Sequence, residues 1–347
     1  MKPTIQFKRN TRSVFFHITT QCNLSCKHCY IDPKQHGSGA IPLETIIKWL
    51  DLFRRDNTDL VLLGGEPTLH SDLPATIKYA RKIGYRSITV DTNGYLFCSI
   101  LDKVSTNDVD FFSFSLDGPD PLINDNIRGK GSFERCIQGI QAARKKGFSV
   151  SLIYTVSAMN IKALHKLPSL IAPLNIQKFF IQIIGIRGKS AHASPNRNLQ
   201  VTYEEWMTYV PPVAKKVVDF GISVTYPKVF LEPDETFECA GRVSEHFFVF
   251  PNGRVYQCPL CEDYPIHSYC IKDQKLHTMP PINERQLFYL DIPEGCVMNK
   301  LVQPGNITYD QNGRPNHQIA CCLLKTNIEK NNHYKAERNN ELKNADA

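Results

Sequence analysis

Three cysteines fall within eight residues in the stretch Thr19-Thr20-Gln21-Cys22-Asn23-Leu24-Ser25-Cys26-Lys27-His28-Cys29. Their spacing is C-x3-C-x2-C, directly after the apolar run from Val14 to Ile18. A four-iron cluster is usually held by four thiolates, so three on one short loop leave one iron with an open position that can bind a reactant. Structural zinc is the alternative, with a fourth ligand from His28 or from elsewhere in the chain. Spacing alone leaves both open.

A second cysteine field lies downstream. Cys239, Cys258, Cys261, Cys270, Cys296, Cys321 and Cys322 are seven of the twelve cysteines in the chain. The run from Phe248 to Gln257 carries Asn252-Gly253 between two alternating segments, a hairpin signal that brings Cys239 and Cys258 together. Seven thiols are fewer than the eight that two fully ligated four-iron clusters need. Cys258-x2-Cys261 also has the spacing of a zinc knuckle. The adjacent pair Cys321-Cys322 supplies one ligand and a bystander, or grips a soft ion or a substrate thiol. Cys136, on a helical face with Phe133, Ile137 and Ile140, and Cys98, beside Leu96 and Phe97, read as small core residues. His17 reads as a strand residue satisfying a local hydrogen bond.

The elements that must position the first field alternate in type. Strands are expected over 14–19, 59–63, 86–91, 110–116, 149–156 and 178–184. Helices are expected between them, over about 43–53 with Pro42 in its first turn, 72–83 ended by Gly84, and 132–146 ended by Gly147. This order implies an α/β fold with a parallel sheet and right-handed crossovers, either open or curved into a partial barrel. Chemistry then belongs at the C-terminal ends of the strands, where the three cysteines sit. Residues 1–230 form the expected core domain and 231–325 a small cysteine-rich domain. Residues 326–347 are expected to be a polar tail without apolar anchors.

Composition bounds the partners. The 347 residues are 42% hydrophobic and 22% charged, with a net charge of +7 spread along the chain. That spread argues against a nucleic-acid partner. No apolar stretch approaches the roughly 18 residues of a membrane span, and the N-terminus, MKPTIQFKRN, lacks the apolar core of a secretory signal. A cytoplasmic chain is expected, and twelve cysteines in such a chain point to metal or redox chemistry rather than disulfides.

At the end of the second strand, Gly64-Gly65-Glu66-Pro67 offers a backbone turn that can approach a ligand closely and a carboxylate suited to an ammonium group. Together with C-x3-C-x2-C after the first strand, it resembles the signature of radical S-adenosylmethionine (SAM) enzymes. The resemblance implies a partial (β/α)6 TIM-type barrel and a [4Fe-4S] cluster on Cys22, Cys26 and Cys29, with SAM chelated to the open iron. It also implies His28 against the adenine, Gly64, Gly65, Glu66 and Pro67 at the SAM amino group, and Asn93, Ser115, Asp117 and Arg128 near the ribose and carboxylate. As ordinary turn residues, Asn93 and Asp117 have a second reading.

The Cys239-x13-Gly253-x4-Cys258 arrangement resembles the SPASM or shorter twitch extension, whereas the later cysteines depart from the full SPASM spacing; the resemblance and the count of seven together imply one auxiliary [4Fe-4S] cluster with Cys239 and Cys258 as its firmest ligands and two more from Cys261, Cys270, Cys296, Cys321 and Cys322. The implied chemistry is reductive cleavage of SAM to a 5′-deoxyadenosyl radical, which abstracts hydrogen from a substrate. A flavodoxin- or ferredoxin-type electron donor is the implied partner. The main substrate reading is a peptide or protein undergoing crosslinking or oxidative maturation. With about a dozen residues before the first strand, its recognition would fall to a separate protein or to the barrel mouth. The alternative is a small metabolite, cofactor or tetrapyrrole precursor, and a third reading is a non-catalytic zinc-binding interaction protein.

Overall fold

The computed structural model describes residues 4–7, 12–191, 199–232 and 234–330. β1 (Thr4–Gln6) precedes β2 (Arg12–His17), β3 (Thr58–Leu63), β4 (Ser87–Thr92), β5 (Phe111–Ser115), β6 (Val150–Val156) and β7 (Lys178–Ile183). β2 to β7 pair in parallel in their sequence order. These are the six strands expected from the sequence, and together they curve into the α/β partial barrel. Helices Leu43–Phe53, Leu73–Lys82 and Ser132–Lys145 cover the sheet.

Alternation along the strands separates two faces. Val14, Phe16, Leu60, Leu62, Ile88, Val90, Phe112 and Phe114 are fully buried in one core with Ile46, Leu50, Ile77 and Ile140 from the helices. Each such side chain contributes roughly 1.5–3 kcal/mol on burial. The opposite, concave face carries polar groups: Asp91, Ser113 and Ser151 lie side by side in register on β4, β5 and β6. Cys136 is buried in the core as expected, whereas Cys98 is exposed, because the single turn Phe97–Ile100 sends Phe97 and Ile100 inward instead.

The remaining strands extend this sheet. β8 (Ser223–Pro227) joins β7 in parallel, and β9 (Phe230–Leu231) leaves it. β10 (Glu245–Val249) pairs in parallel with β2, and β11 (Arg254–Tyr256) returns through the Asn252-Gly253 turn. β12 (Tyr269–Lys272) and β13 (Lys275–Thr278) continue that side. β14 (Gln318–Ile319) pairs with β9, and β15 (Lys325–Ile328) pairs with β8 and β1. Among the described residues, thirteen strands form one continuous sheet. The region 231–325 thus shares the sheet of the region before it, adding β10 to β13 beside β2, while β15, which begins at its last residue, pairs with β8 on the other side.

The expected tail from 326 is corrected at its start. Thr326 and Ile328 are buried on β15, where Ile328 joins the main core, so the segment does have an apolar anchor. Residues 331–347 lie outside the described residues. No helix among the described residues is long and apolar enough to cross a membrane.

Candidate active site and cysteine centres

The first cysteine loop leaves β2 at the C-terminal end of the sheet and is pinned by backbone hydrogen bonds from four other segments. Thr20 N–H donates to Gly39 O (2.9 Å), Gly65 N–H to Thr19 O (2.9 Å), Glu66 N–H to Gln21 O (2.8 Å), Lys27 N–H to Ile127 O (2.9 Å) and Lys189 N–H to Cys29 O (2.9 Å). The Gly-Gly turn must approach this loop closely: a Cβ on Gly65 would stand 2.3 Å from Gln21 O. The glycines expected at a ligand therefore serve, in the first place, to let the second strand end dock on the cysteine loop.

Cys22, Cys26 and Cys29 lie within electrostatic reach of one another. Cys22 keeps an exposed face, but partial burial of its thiol pushes it up to about 11; burial raises Cys26 as well, against the pull of the Arg128 guanidinium. Cys22 Sγ faces two donors, Leu24 N–H at 3.4 Å and Asn93 Nδ2 at 3.7 Å. Donors aimed at a sulfur suit a thiolate, and thiols held protonated by burial release those protons to a metal. The donor set fits a cluster.

Behind the cysteines, the predicted SAM-contacting residues form a network among themselves. Glu66 is buried and its carboxylate accepts from Thr68 N–H (3.1 Å), Thr68 Oγ1 (2.6 Å), Thr92 Oγ1 (2.9 Å) and Asn93 N–H (2.7 Å). It ties the ends of β3 and β4 together, and Pro67 is buried beside it at the start of a short turn. The expectation of a Glu66 carboxylate given over to an ammonium group is thereby modified, since four donors from its own chain already face it. Asp117 is fully buried and meets Arg128 Nε at 2.6 Å and His28 Nε2 at 3.3 Å. Its other oxygen accepts Thr155 N–H at 2.7 Å. The guanidinium expected at a ligand carboxylate thus already has a carboxylate partner. Burial lowers His28, against the pull of the Asp117 carboxylate. Ser115, half-buried at the end of β5, offers its carbonyl to Cys136.

Sequence reasoning passed over Asp91, one residue before the end of β4. Burial drives its carboxyl up to about 7 despite a hydrogen bond from Ser113, and neighbouring Glu66 adds to the shift. Its signal was its place in Asp91-Thr92-Asn93-Gly94. His17 also has longer-range partners than a local bond: Nδ1–H donates to Val249 O (3.1 Å) and Nε2 accepts from Tyr30 Oη (2.7 Å).

The second field is assembled from segments that join strands on both sides of the six parallel ones. Cys239, Cys258, Cys296, Cys321 and Cys322 line one narrow cavity with Phe237, Leu287 and Phe288. Cys239 and Cys258 flank the β10–β11 hairpin, while Cys321 and Cys322 precede β15 on the opposite side. Hydrogen bonds from Cys239 and Cys322 hold the Cys321 thiol well below the ordinary range and raise the two donors. Cys261 is buried behind this group, its thiol bonded to Cys258. Glu284, fully buried and unexpected from sequence, accepts Gln257 N–H (2.7 Å), Cys258 N–H (3.0 Å) and Ser268 N–H (3.0 Å), which fixes the Cys258 turn.

Cys270 is not brought to the cavity. It sits on β12 opposite His277, and its thiol donates to the adjacent Ile271 O. Among the described residues, no three His, Cys, Asp or Glu side chains converge as a single ion requires.

Residues 16–167 match the Radical SAM superfamily. This stretch belongs to the radical SAM superfamily. A [4Fe-4S] cluster and SAM are the cofactors of radical SAM domains. Sequence relatives include the pre-heme d1 synthase of Dinoroseobacter shibae, 32% identical over 183 residues that make up 51% of this chain and 44% of that protein. A probable GTP 3′,8-cyclase of Sulfolobus acidocaldarius is 26% identical over 177 residues, 50% of this chain and 56% of that one. The chain thus spans about half the length of the curated relatives it matches. Among solved structures, Streptococcus suis SuiB bound to S-adenosylmethionine superposes with a TM-score of 0.62 at 14% identity, over 84% of this chain and 66% of SuiB. That likeness is one of fold, and it extends beyond the radical SAM domain into the cysteine-rich region.

Proposed function

We propose that the chain is a radical SAM enzyme that modifies a small molecule, a cofactor or tetrapyrrole precursor, by hydrogen abstraction. The observation that carries the radical SAM part is the pinned loop: three thiols with donors on Cys22, locked at the strand ends by the Gly65 and Glu66 amides. One-electron reductive cleavage of SAM, with hydrogen taken from the substrate, is the chemistry that a cluster on Cys22, Cys26 and Cys29 supplies when bound.

The chain's own residues hold the arrangement still. Glu66 fixes the Gly64-Gly65 turn against β4, and Asp117 fixes Arg128 and His28 beneath the loop. Asp91, with its carboxyl near neutrality, can hold or release a proton on the concave face. His28, Asn93 and Ser115, close to the cysteine loop, are the proposed SAM contacts. Cys239 and Cys258, with two of Cys296, Cys321 and Cys322, hold an auxiliary [4Fe-4S] cluster. A flavodoxin- or ferredoxin-type protein supplies the electron.

The small-molecule reading replaces the peptide reading as the favoured one. It is supported by sequence relatives named for a heme d1 precursor and for GTP, while the likeness to a peptide-binding enzyme is of fold alone. The polar concave row of Asp91, Ser113 and Ser151 adds to it. The test is anaerobic reconstitution with SAM and dithionite, measuring 5′-deoxyadenosine with porphyrin carboxylates and purine nucleotides against cysteine- and serine-containing peptides. Stimulation by a small molecule is expected. Stimulation by peptides alone would sink the substrate reading, and stoichiometric zinc without iron would sink the radical reading.

A further inference from the structure

One short segment touches both cysteine fields. After β7, residues 185–190 run across the C-terminal end of the sheet between the first loop and the second cavity. Lys189 N–H donates to Cys29 O (2.9 Å), and Lys189 Nζ reaches Ser25 Oγ (2.8 Å). Gly188 N–H donates to Asp263 Oδ2 (3.1 Å). Arg187 Nη1 donates to Pro259 O (2.5 Å) and to Glu262 Oε2 (2.7 Å), inside the Cys258–Asp263 turn. Its guanidinium lies 4.5 Å over the ring of Tyr30, the neighbour of Cys29. Ile186 N–H donates to Val302 O (2.8 Å), at the end of the helix that starts after Cys296.

The placement is close-fitting. A Cβ on Gly188 would stand 2.6 Å from Cys29 O, and Gly188 has φ +52°, so this position takes glycine on both counts. The Arg187–Glu262 pair is largely out of water, with Arg187 17% and Glu262 2% exposed. A planar guanidinium that stacks on one segment and makes two bonds to another is suited to hold them at a set separation. A lysine cannot reproduce that geometry.

We propose that Arg187 is a positioning residue that sets the separation between the two cysteine centres, with residues 185–190 as the strap. The proposal rests on the reading that both fields hold clusters only for its consequence, the distance between them. The strap itself is a property of the chain.

The experiment uses the full chain and two substitutions, Arg187→Met and the double variant Arg187→Met/Glu262→Gln, which removes the pair without stranding a buried carboxylate. Hydrogen exchange on the metal-free chain should speed up about tenfold at the Gly188 and Lys189 amides and over residues 259–263, in line with loss of charge-assisted hydrogen bonds. The Glu66 amide, which holds the same loop from its other side, should be unchanged. In the reconstituted protein, pulsed electron paramagnetic resonance should show a broader distribution of intercluster distances in both variants, with Arg187→Lys between them and the wild type. Uniform acceleration including Glu66, no acceleration, or an unchanged distance distribution would overturn the proposal. If the wild type shows no second paramagnetic cluster, the auxiliary-cluster reading fails, and the exchange pattern still decides the strap.

Discussion

The two cysteine centres are built in opposite ways. The first is a single loop whose thiols are ordered by backbone hydrogen bonds from neighbouring strand ends, and Cys22 remains exposed. The second gathers thiols from positions 239 to 322, packs them among aromatic and aliphatic side chains, and links them by thiol-to-thiol hydrogen bonds. A loop with an open face suits a centre that must admit a reactant; a closed apolar pocket suits one that only exchanges electrons or braces the fold. The pocket is lined by cysteines that follow β11 and by cysteines that precede β15, strands on opposite sides of the six parallel strands, so its ligands come from both sides of the sheet.

The comparison breaks most sharply at the cysteines. Replacing Cys22, Cys26 and Cys29 together by Ala is expected to abolish 5′-deoxyadenosine formation while iron and sulfide persist in the second pocket, as measured by product chromatography and iron assay. Cys258→Ala should instead remove the second pocket's iron and leave the first cluster's signal, whereas Cys270→Ala should change neither, because Cys270 lies on β12 away from the cavity. Iron loss in the Cys270 variant equal to that in the Cys258 variant would contradict this placement.

Beneath the first loop, Asp117→Asn leaves Arg128 buried without its carboxylate, which should cost ~3–5 kcal/mol in denaturant unfolding. A smaller penalty is expected from neutralising Glu245, which is half-exposed in its pair with the buried Arg12, because that guanidinium keeps its hydrogen bond to Phe53 O.

A further effect concerns pH, near the second centre. His36 is buried; its Nδ1 accepts Asp32 N–H (2.9 Å) and its Nε2–H donates to Glu262 O (3.0 Å), contacts that demand the neutral ring. Burial lowers it to about 4. A histidine depressed in the folded state contributes stability above its unfolded value near 6.5 and loses it as pH falls toward 4. Between pH 6.5 and 5 the wild type should therefore lose ~1.5 kcal/mol more than His36→Gln. Comparing the variant with the wild type cancels the opposing groups, Glu262 and Asp91, both raised to about 7. Equal acid sensitivity in the two proteins would refute the assignment.

Much of the barrel was legible because its signals are local. Each of β2 to β7 is a short apolar run bounded by turn residues, and helix 132–145 shows its buried face at helical spacing. Helix Tyr203–Asp219 was not among the helices expected: Pro211 and Pro212 stand inside it, and a Thr202–Glu205 capping box and a buried face of Trp206, Val210, Val213, Ala214 and Val217 carry the helix through them. Cys98 was misread for a related reason, since apolar neighbours in sequence do not say which way a single turn faces.

By itself, the sequence determined the six parallel strands, the loop that follows the first of them and the three thiols on that loop, because period, turn chemistry and cysteine spacing act within a few residues. Only the tertiary structure decided that Asp117 would take Arg128, that Glu66 would tie β3 to β4, that Cys270 would stay outside the second pocket, and that Arg187 would bridge the two centres. Those outcomes depend on which strand edges meet and on burial that forces each charged group to find a partner, and neither is written in the spacing of residues along the chain.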